Sequence, residues 1–173
     1  GNTGSGDIDL DRLTGEVKMN TGSGDIEIRN SGGELNVSCG SGDIKIADSK
    51  AVFSANTGSG KIVSRTITLD GSSHFNAGSG DVEVVLAASP KFDIAVNCGS
   101  GVARLDFNGN KIVGEVVMKA NKRNGEIKAP FEFDTTEETN EYGDQVIVKK
   151  TAIRGNGDVK IAVGTGSGAA VLK

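Results

Sequence analysis

Short runs of alternating apolar and polar residues fill most of this chain, and they come in pairs. One run follows each Gly-Ser-Gly tripeptide: Asp7-Ile8-Asp9-Leu10, Asp25-Ile26-Glu27-Ile28, Asp43-Ile44-Lys45-Ile46 and Asp81-Val82-Glu83-Val84. Another precedes it, as in Glu16-Val17-Lys18-Met19-Asn20-Thr21 and Glu34-Leu35-Asn36-Val37-Ser38-Cys39. A period of two predicts β-strands with one buried face. The tripeptide starts at Gly4, Gly22, Gly40 and Gly58, 18 residues apart, then at Gly78 and Gly99 after intervals of 20 and 21, and again at Gly166. A degenerate copy is Gly155-Asn156-Gly157-Asp158. The repeating unit is therefore strand, turn, strand, Gly-Ser-Gly turn.

Two short strands cannot bury their apolar faces alone. Stacking the units does bury them, with each strand pairing in parallel to its counterpart in the next coil. This predicts an all-β, single-stranded parallel β-helix, or β-solenoid, with coils of about 18–21 residues. An antiparallel meander is disfavoured, because identical corners and ladders of like residues are what stacking produces. The inward ladders read Val17, Leu35, Phe53, Ser73, Ile94, then Met19, Val37, Ala55, Phe75, Val96, then Thr21, Cys39, Thr57, Ala77, Cys98. Bulky Phe53 is matched with small Ala55, and small Ser73 with bulky Phe75, which holds the core volume steady. Outward, Asn2, Asn20, Ser38, Asn56, Asn76 and Asn97 align, and stacked amides hydrogen-bond along a ladder. The glycines are expected to turn the corners with positive φ and no Cβ clash.

The period breaks after Leu105. Lys111–Ala120, Gly125–Phe133 and Gln145–Lys150 read as strands, with an acidic loop from Asp134 to Asp144. Gly157–Val163 and Ala169–Leu172 resume the short-strand pattern. The organisation expected is one domain: regular coils over residues 1–106, then wider coils and a C-terminal cap over 107–173, since a solenoid's terminal edge needs covering. The chain starts inside a repeat, so further coils or a cap are expected upstream. A targeting segment is expected to have been removed, and the first coil is a candidate for end-to-end contact with another molecule.

Composition narrows the function classes. The 26 glycines lack the every-third-residue spacing of collagen, and the recurring Ile, Val and Leu argue against disorder. A net charge of −4 without a basic cluster makes nucleic acid a poor partner. No apolar run approaches ~20 residues, so no membrane insertion is expected of this chain.

The repeated Thr-Gly-Ser-Gly-Asp-Ile-x-Ile units, from Thr3 to about Leu105, and the closing Gly155–Val163 segment resemble a bacterial adhesin-type family. That family is a domain of unknown function built of such β-strand repeats and related to adhesin-head GIN-type domains. The resemblance implies a right-handed β-helix in an exported or envelope-associated protein, and it supplies no catalytic motif to carry over.

Four constellations carry possible chemistry. An outward acidic strip runs through Asp7/Asp9, Asp25/Glu27, Asp43 and Asp81/Glu83. Carboxylates stacked at the ~4.8 Å strand spacing repel unless paired, and calcium prefers such oxygens, so Asp7, Asp25 and Asp43 are candidate metal ligands. The spacing differs from a calcium β-roll, and Lys45 and Lys61 neutralise the strip, so a solvated face is the favoured reading. Cys39 and Cys98 share a ladder but lie three coils apart, ~14 Å, beyond disulfide reach, and are expected to be buried thiols. The single histidine, His74, should face solvent, away from both cysteines, which removes a Cys-His nucleophilic pair. The acidic loop, with Glu137, Glu138, Glu141 and Tyr142, is a candidate docking site for a basic partner.

No cofactor is expected and no catalytic residue is assigned. The function expected is a non-enzymatic extracellular or envelope module with an adhesin, display or spacer role. Its partner would be a protein or glycan at the cell surface. The alternatives are a carbohydrate-active β-helix enzyme, or an envelope-stress scaffold that binds a protein.

Overall fold

Each period-two run is a strand because its apolar residues reach one continuous interior while its polar residues reach water. The computed structural model describes residues 1–141 and 145–173. Its strands are β1 (Asn2–Thr3), β2 (Ile8–Asp11), β3 (Glu16–Thr21), β4 (Ile26–Arg29), β5 (Gly32–Cys39), β6 (Ile44–Ala47), β7 (Lys50–Ser59), β8 (Ile62–Leu69), β9 (Ser73–Ser79), β10 (Val82–Leu86), β11 (Ile94–Asp106), β12 (Gly114–Asn121), β13 (Gly125–Lys128), β14 (Thr135–Glu141), β15 (Gln145–Arg154) and β16 (Lys160–Leu172). Among the described residues there is no helix, and so none long and apolar enough to cross a membrane.

The strands stack as a parallel β-solenoid. One face carries β1, β3, β5, β7, β9 and β11 in register, with Val17 beside Leu35 beside Phe53 and Met19 beside Val37 beside Ala55. A second face carries β2, β4, β6, β8, β10 and the far half of β11, with Ile8, Ile26, Ile44, Ile62 and Val82 in one column. That column is fully buried from Ile26 onward. Phe53 and Phe75 fill successive coils on adjacent inward ladders, with ring centroids 5.8 Å apart. Where Ser73 replaces an apolar rung, its hydroxyl accepts the Phe53 N–H at 3.0 Å and donates to the Gly71 carbonyl, which satisfies it inside the core.

The Gly-Ser-Gly corners differ from expectation in their physical cause. The first-position glycines do not adopt positive φ, and in the third position only Gly80, Gly101 and Gly168 do. What excludes a side chain is the neighbouring coil. A Cβ added at Gly22, Gly24, Gly40, Gly42, Gly58 or Gly60 would lie under 3.0 Å from the carbonyl oxygen of the matching glycine in the preceding coil. At the other corner the left-handed conformation is found at Arg12, Asn30, Asp48 and Thr66, joined in the first two coils by Gly15 and Gly33.

The C-terminal third departs from sequential stacking. β16 comes after β12 in the chain but lies between β11 and β12 in the sheet, parallel to both. The two segments expected at 157–163 and 169–172 are one strand, and its Ser167-Gly168 pairs with Ser100-Gly101. β15 runs antiparallel on the other side of β12, so the chain straddles that strand. The crossing passes over Gly114, whose N-terminal approach has no room for a Cβ beside the Val159 carbonyl, and Glu115 donates its N–H to that same oxygen at 2.7 Å. β13 is only Gly125–Lys128, and Phe131 and Phe133 lie beyond it as cap residues packed on the core.

The acidic loop expected at 134–144 is corrected. Thr135–Glu141 is strand β14, antiparallel to β15 at the end of the sheet. Cross-strand charge pairing favours it: Glu137 meets Lys149 of β15, and Glu138 meets Lys122 just after β12.

Candidate functional site

The structure separates the sequence-derived candidates. Asp7, Asp25 and Asp43 do stack, but each uses Oδ1 to accept a backbone N–H from the next coil, at 2.9, 2.8 and 2.8 Å, from Asp25, Asp43 and Lys61. Asp81 does the same for Val102 at 2.9 Å. These carboxylates stitch rung to rung. Ion pairs run along the same face: Arg29 with Asp9 and Glu27, Lys45 with Asp25, Lys61 with Asp81, Arg104 with Glu83. Among the described residues no group of three or more His, Cys, Asp and Glu side chains could hold a metal ion.

The acidic candidates are also engaged. Glu138 pairs with Lys122 at 2.7 Å, Glu137 with Lys149 at 3.2 Å, and Asp134 with Arg154 at 3.6 Å. Glu141 ends β14, and Tyr142 lies outside the described residues. Cys39 and Cys98 are free and buried, and burial pushes the Cys98 thiol above its ordinary pKa. His74 is exposed, and its Nε2 lies 2.8 Å from the Ser54 hydroxyl.

The opposite sheet face contrasts with the ionic one. From β5 to β11 its two central rows are Asn36, Ser54, His74, Ala95 and Ser38, Asn56, Asn76, Asn97, without a carboxylate, Lys or Arg. Asn76 donates its amide to the Asn56 oxygen at 3.1 Å, and Asn97 donates to Asn76 at 3.2 Å. All donation runs toward the N-terminal end, so the last free acceptor is the Asn97 Oδ1. The next rung is Gly164, which has no side chain, and the Asn97 Oδ1 leans over it, 2.7 Å from where a Cβ would stand.

Beyond that gap the row continues as Lys119, Lys149 and Glu137. The parallel row continues as Ala162 and Val117. Together these form a trough of about 380 Å³, floored by Ala162, Val117 and Gly164 and rimmed by Lys119, Lys149, Lys160, Glu115 and Asn97. Val117 alternates with the core residues Val116 and Met118, yet is only 7% exposed, so the trough is a formed depression. Lys119 stands directly opposite Lys149, a like-charge pair that is unfavourable without a counter-charge. Glu137 supplies one to Lys149, whereas among the described residues neither Lys119 nor Lys160 has a carboxylate within 4.0 Å.

A second cleft, about 590 Å³, lies under the cap beside Phe131, Phe133, Lys128 and Lys150. Its aromatic rings already carry the protein's own cations, Arg154 at 4.3 Å from the Phe131 centroid and Lys150 at 5.5 Å from that of Phe133.

Sequence reasoning missed the trough because its residues come from β11, β12, β15 and β16, and β16 is stacked out of chain order. One signal was present. Aligning Gly166-Ser167-Gly168 with the earlier tripeptides places Gly164 where the other coils carry Asn or Ser.

Stacked coils, an ion-paired face and an amide-laddered face define a β-solenoid repeat domain. The Toastrack DUF4097 family matches residues 2–137, and the chain belongs to that family, an uncharacterised domain. No curated protein and no solved structure gives a match.

Proposed function

We propose that this domain is a non-enzymatic display module of the cell envelope or cell exterior, with an adhesin role exercised by binding glycan along one solenoid face. The observation that carries the reading is the amide-laddered face. Asn36, Ser38, Ser54, Asn56, Asn76 and Asn97 present donors and acceptors at the regular rung spacing of ~4.8 Å, on a surface free of competing ion pairs. Glycans are recognised by such arrays of hydroxyl and amide partners, and a stacked sheet holds them without an ordering cost at binding. On the other face Arg29, Lys45, Lys61 and Arg104 pair with neighbouring carboxylates, which suits a rigid, solvated flank.

A glycan array probed with the full chain tests this. Binding to a defined set of glycans, weakened in Asn76→Ala, supports glycan display. Absence of binding to any glycan at high protein concentration overturns it.

A further inference from the structure

We infer that the trough between Asn97 and Lys149 binds an acidic sugar unit, an anionic group flanked by hydroxyls, within a larger glycopolymer. This rests on the glycan-display reading and names the ligand class. The first support is the missing rung. The amide ladder ends on the Asn97 Oδ1, which accepts no hydrogen bond from the described residues and leans over Gly164. An acceptor left at the end of an amide chain calls for an O–H or N–H donor.

The second support is charge. Lys119 and Lys149 face one another across adjacent strands, and Lys160 stands at the other end of the same trough. Glu137 pairs with Lys149 and Glu115 stands beside Lys160, which leaves Lys119 as the cation without a neighbouring carboxylate among the described residues. An anionic oxygen placed between Lys119 and Lys149 relieves their repulsion and gains charge-assisted hydrogen bonds. Glu115 discriminates further. It lies in the rim opposite Lys160, where a bare inorganic anion would be repelled and a hydroxyl would be held. The third support is shape. About 380 Å³ is at the small end of the ~300–1,000 Å³ usual for small-molecule sites, and Val117 offers an apolar floor to the C–H face of a sugar ring.

The anionic group is a carboxylate, as in a uronate, or a phosphate, as in a sugar-phosphate chain. Both are tested by calorimetric titration of the full chain, in low and high salt, with oligogalacturonate, a phosphorylated mannose oligomer and a neutral galactan oligomer. Two variants report on the site. Lys119→Met keeps the aliphatic stem and removes the charge. Gly164→Asn restores the missing rung in a backbone conformation that is not left-handed, meeting only the movable Asn97 side chain and the Lys119 stem.

Binding of either acidic oligomer, weakened by salt, about tenfold weaker in Lys119→Met and lost in Gly164→Asn, supports the inference and identifies the source of the anion. Equal binding of the neutral oligomer, or wild-type affinity in both variants, overturns it. If the neutral oligomer binds and both variants are unaffected, glycan display stands and only this site falls. If no oligomer binds while the array yields a ligand, the acidic-sugar assignment is overturned alone.

Discussion

Replacing Gly58 by Ala, with Gly4→Ala as its partner, tests why the corners are glycine. The two residues occupy the same position of the same tripeptide, and neither has positive φ. Around Gly4 a Cβ would find nothing within 4 Å, whereas at Gly58 it would stand 2.6 Å from the Gly40 carbonyl oxygen, against 3.4 Å for ordinary contact. That oxygen is also the acceptor of the Ser59 N–H at 3.0 Å, so parting the coils weakens a rung hydrogen bond as well. Overpacking of this kind costs ~1–3 kcal/mol, and a compromised hydrogen bond ~1 kcal/mol more. At ~2–4 °C per kcal/mol for a chain of this size, Gly58→Ala should lower the melting temperature by roughly 5–15 °C. Gly4→Ala should stay within about 2 °C of wild type, as an unobstructed surface change does. Thermal melts give the comparison. Hydrogen exchange should show faster amides along the β5–β7 pairing of the Gly58 variant. A Gly58→Ala protein that melts with wild type would refute the stacking argument, and so would equal losses in both variants.

Ile161 is fully buried in the inserted strand, so Ile161→Ala should cost ~2–5 kcal/mol. Exchange should accelerate first in β12 and β15, with β4 and β6 unchanged, because β16 is the strand that pairs with both β11 and β12. Cys39 and Cys98 should resist thiol reagents in native protein and yield two equivalents after denaturation, the raised pKa of Cys98 keeping it a neutral thiol. The Asp11 carboxyl is held below its ordinary value by the Asn30 amide and then Arg12, against a desolvation effect that raises it. Its folded pKa is thus the lower one, so its contribution is complete above the unfolded value of 3.8 and is lost as pH falls through the depressed value. Acid titration monitored by circular dichroism should show Asp11→Asn losing less stability than wild type over that range. Millimolar calcium should leave the melting temperature unchanged, since Asp7, Asp25 and Asp43 already bind backbone N–H groups, whereas a rise of several degrees would mean a specific site.

Coil length, strand pairing and the identity of the inward ladders were legible in the chain. A strand's faces alternate strictly, and a repeat repeats its register, so Ile26 beside Ile44 or Leu35 beside Phe53 follows from spacing alone. The compensation between Phe53 and Phe75 was legible for the same reason. Position in the third dimension was decided elsewhere. Nothing local marks Lys160–Leu172 as a strand that enters the stack before β12. That order follows from a gap with matching rungs on both sides and from a crossing that needs Gly114 bare. The acidic stretch read as a loop became β14 because β15 offered an edge and Lys122, Lys149 and Arg154 offered counter-charges. The trough exists only because Gly164 is stacked between Asn97 and Lys119, residues far from it in the chain. Periodicity encodes which side of a strand is buried, while the neighbour of each outward residue is set by which strand packs beside it, and that is a property of the assembled stack.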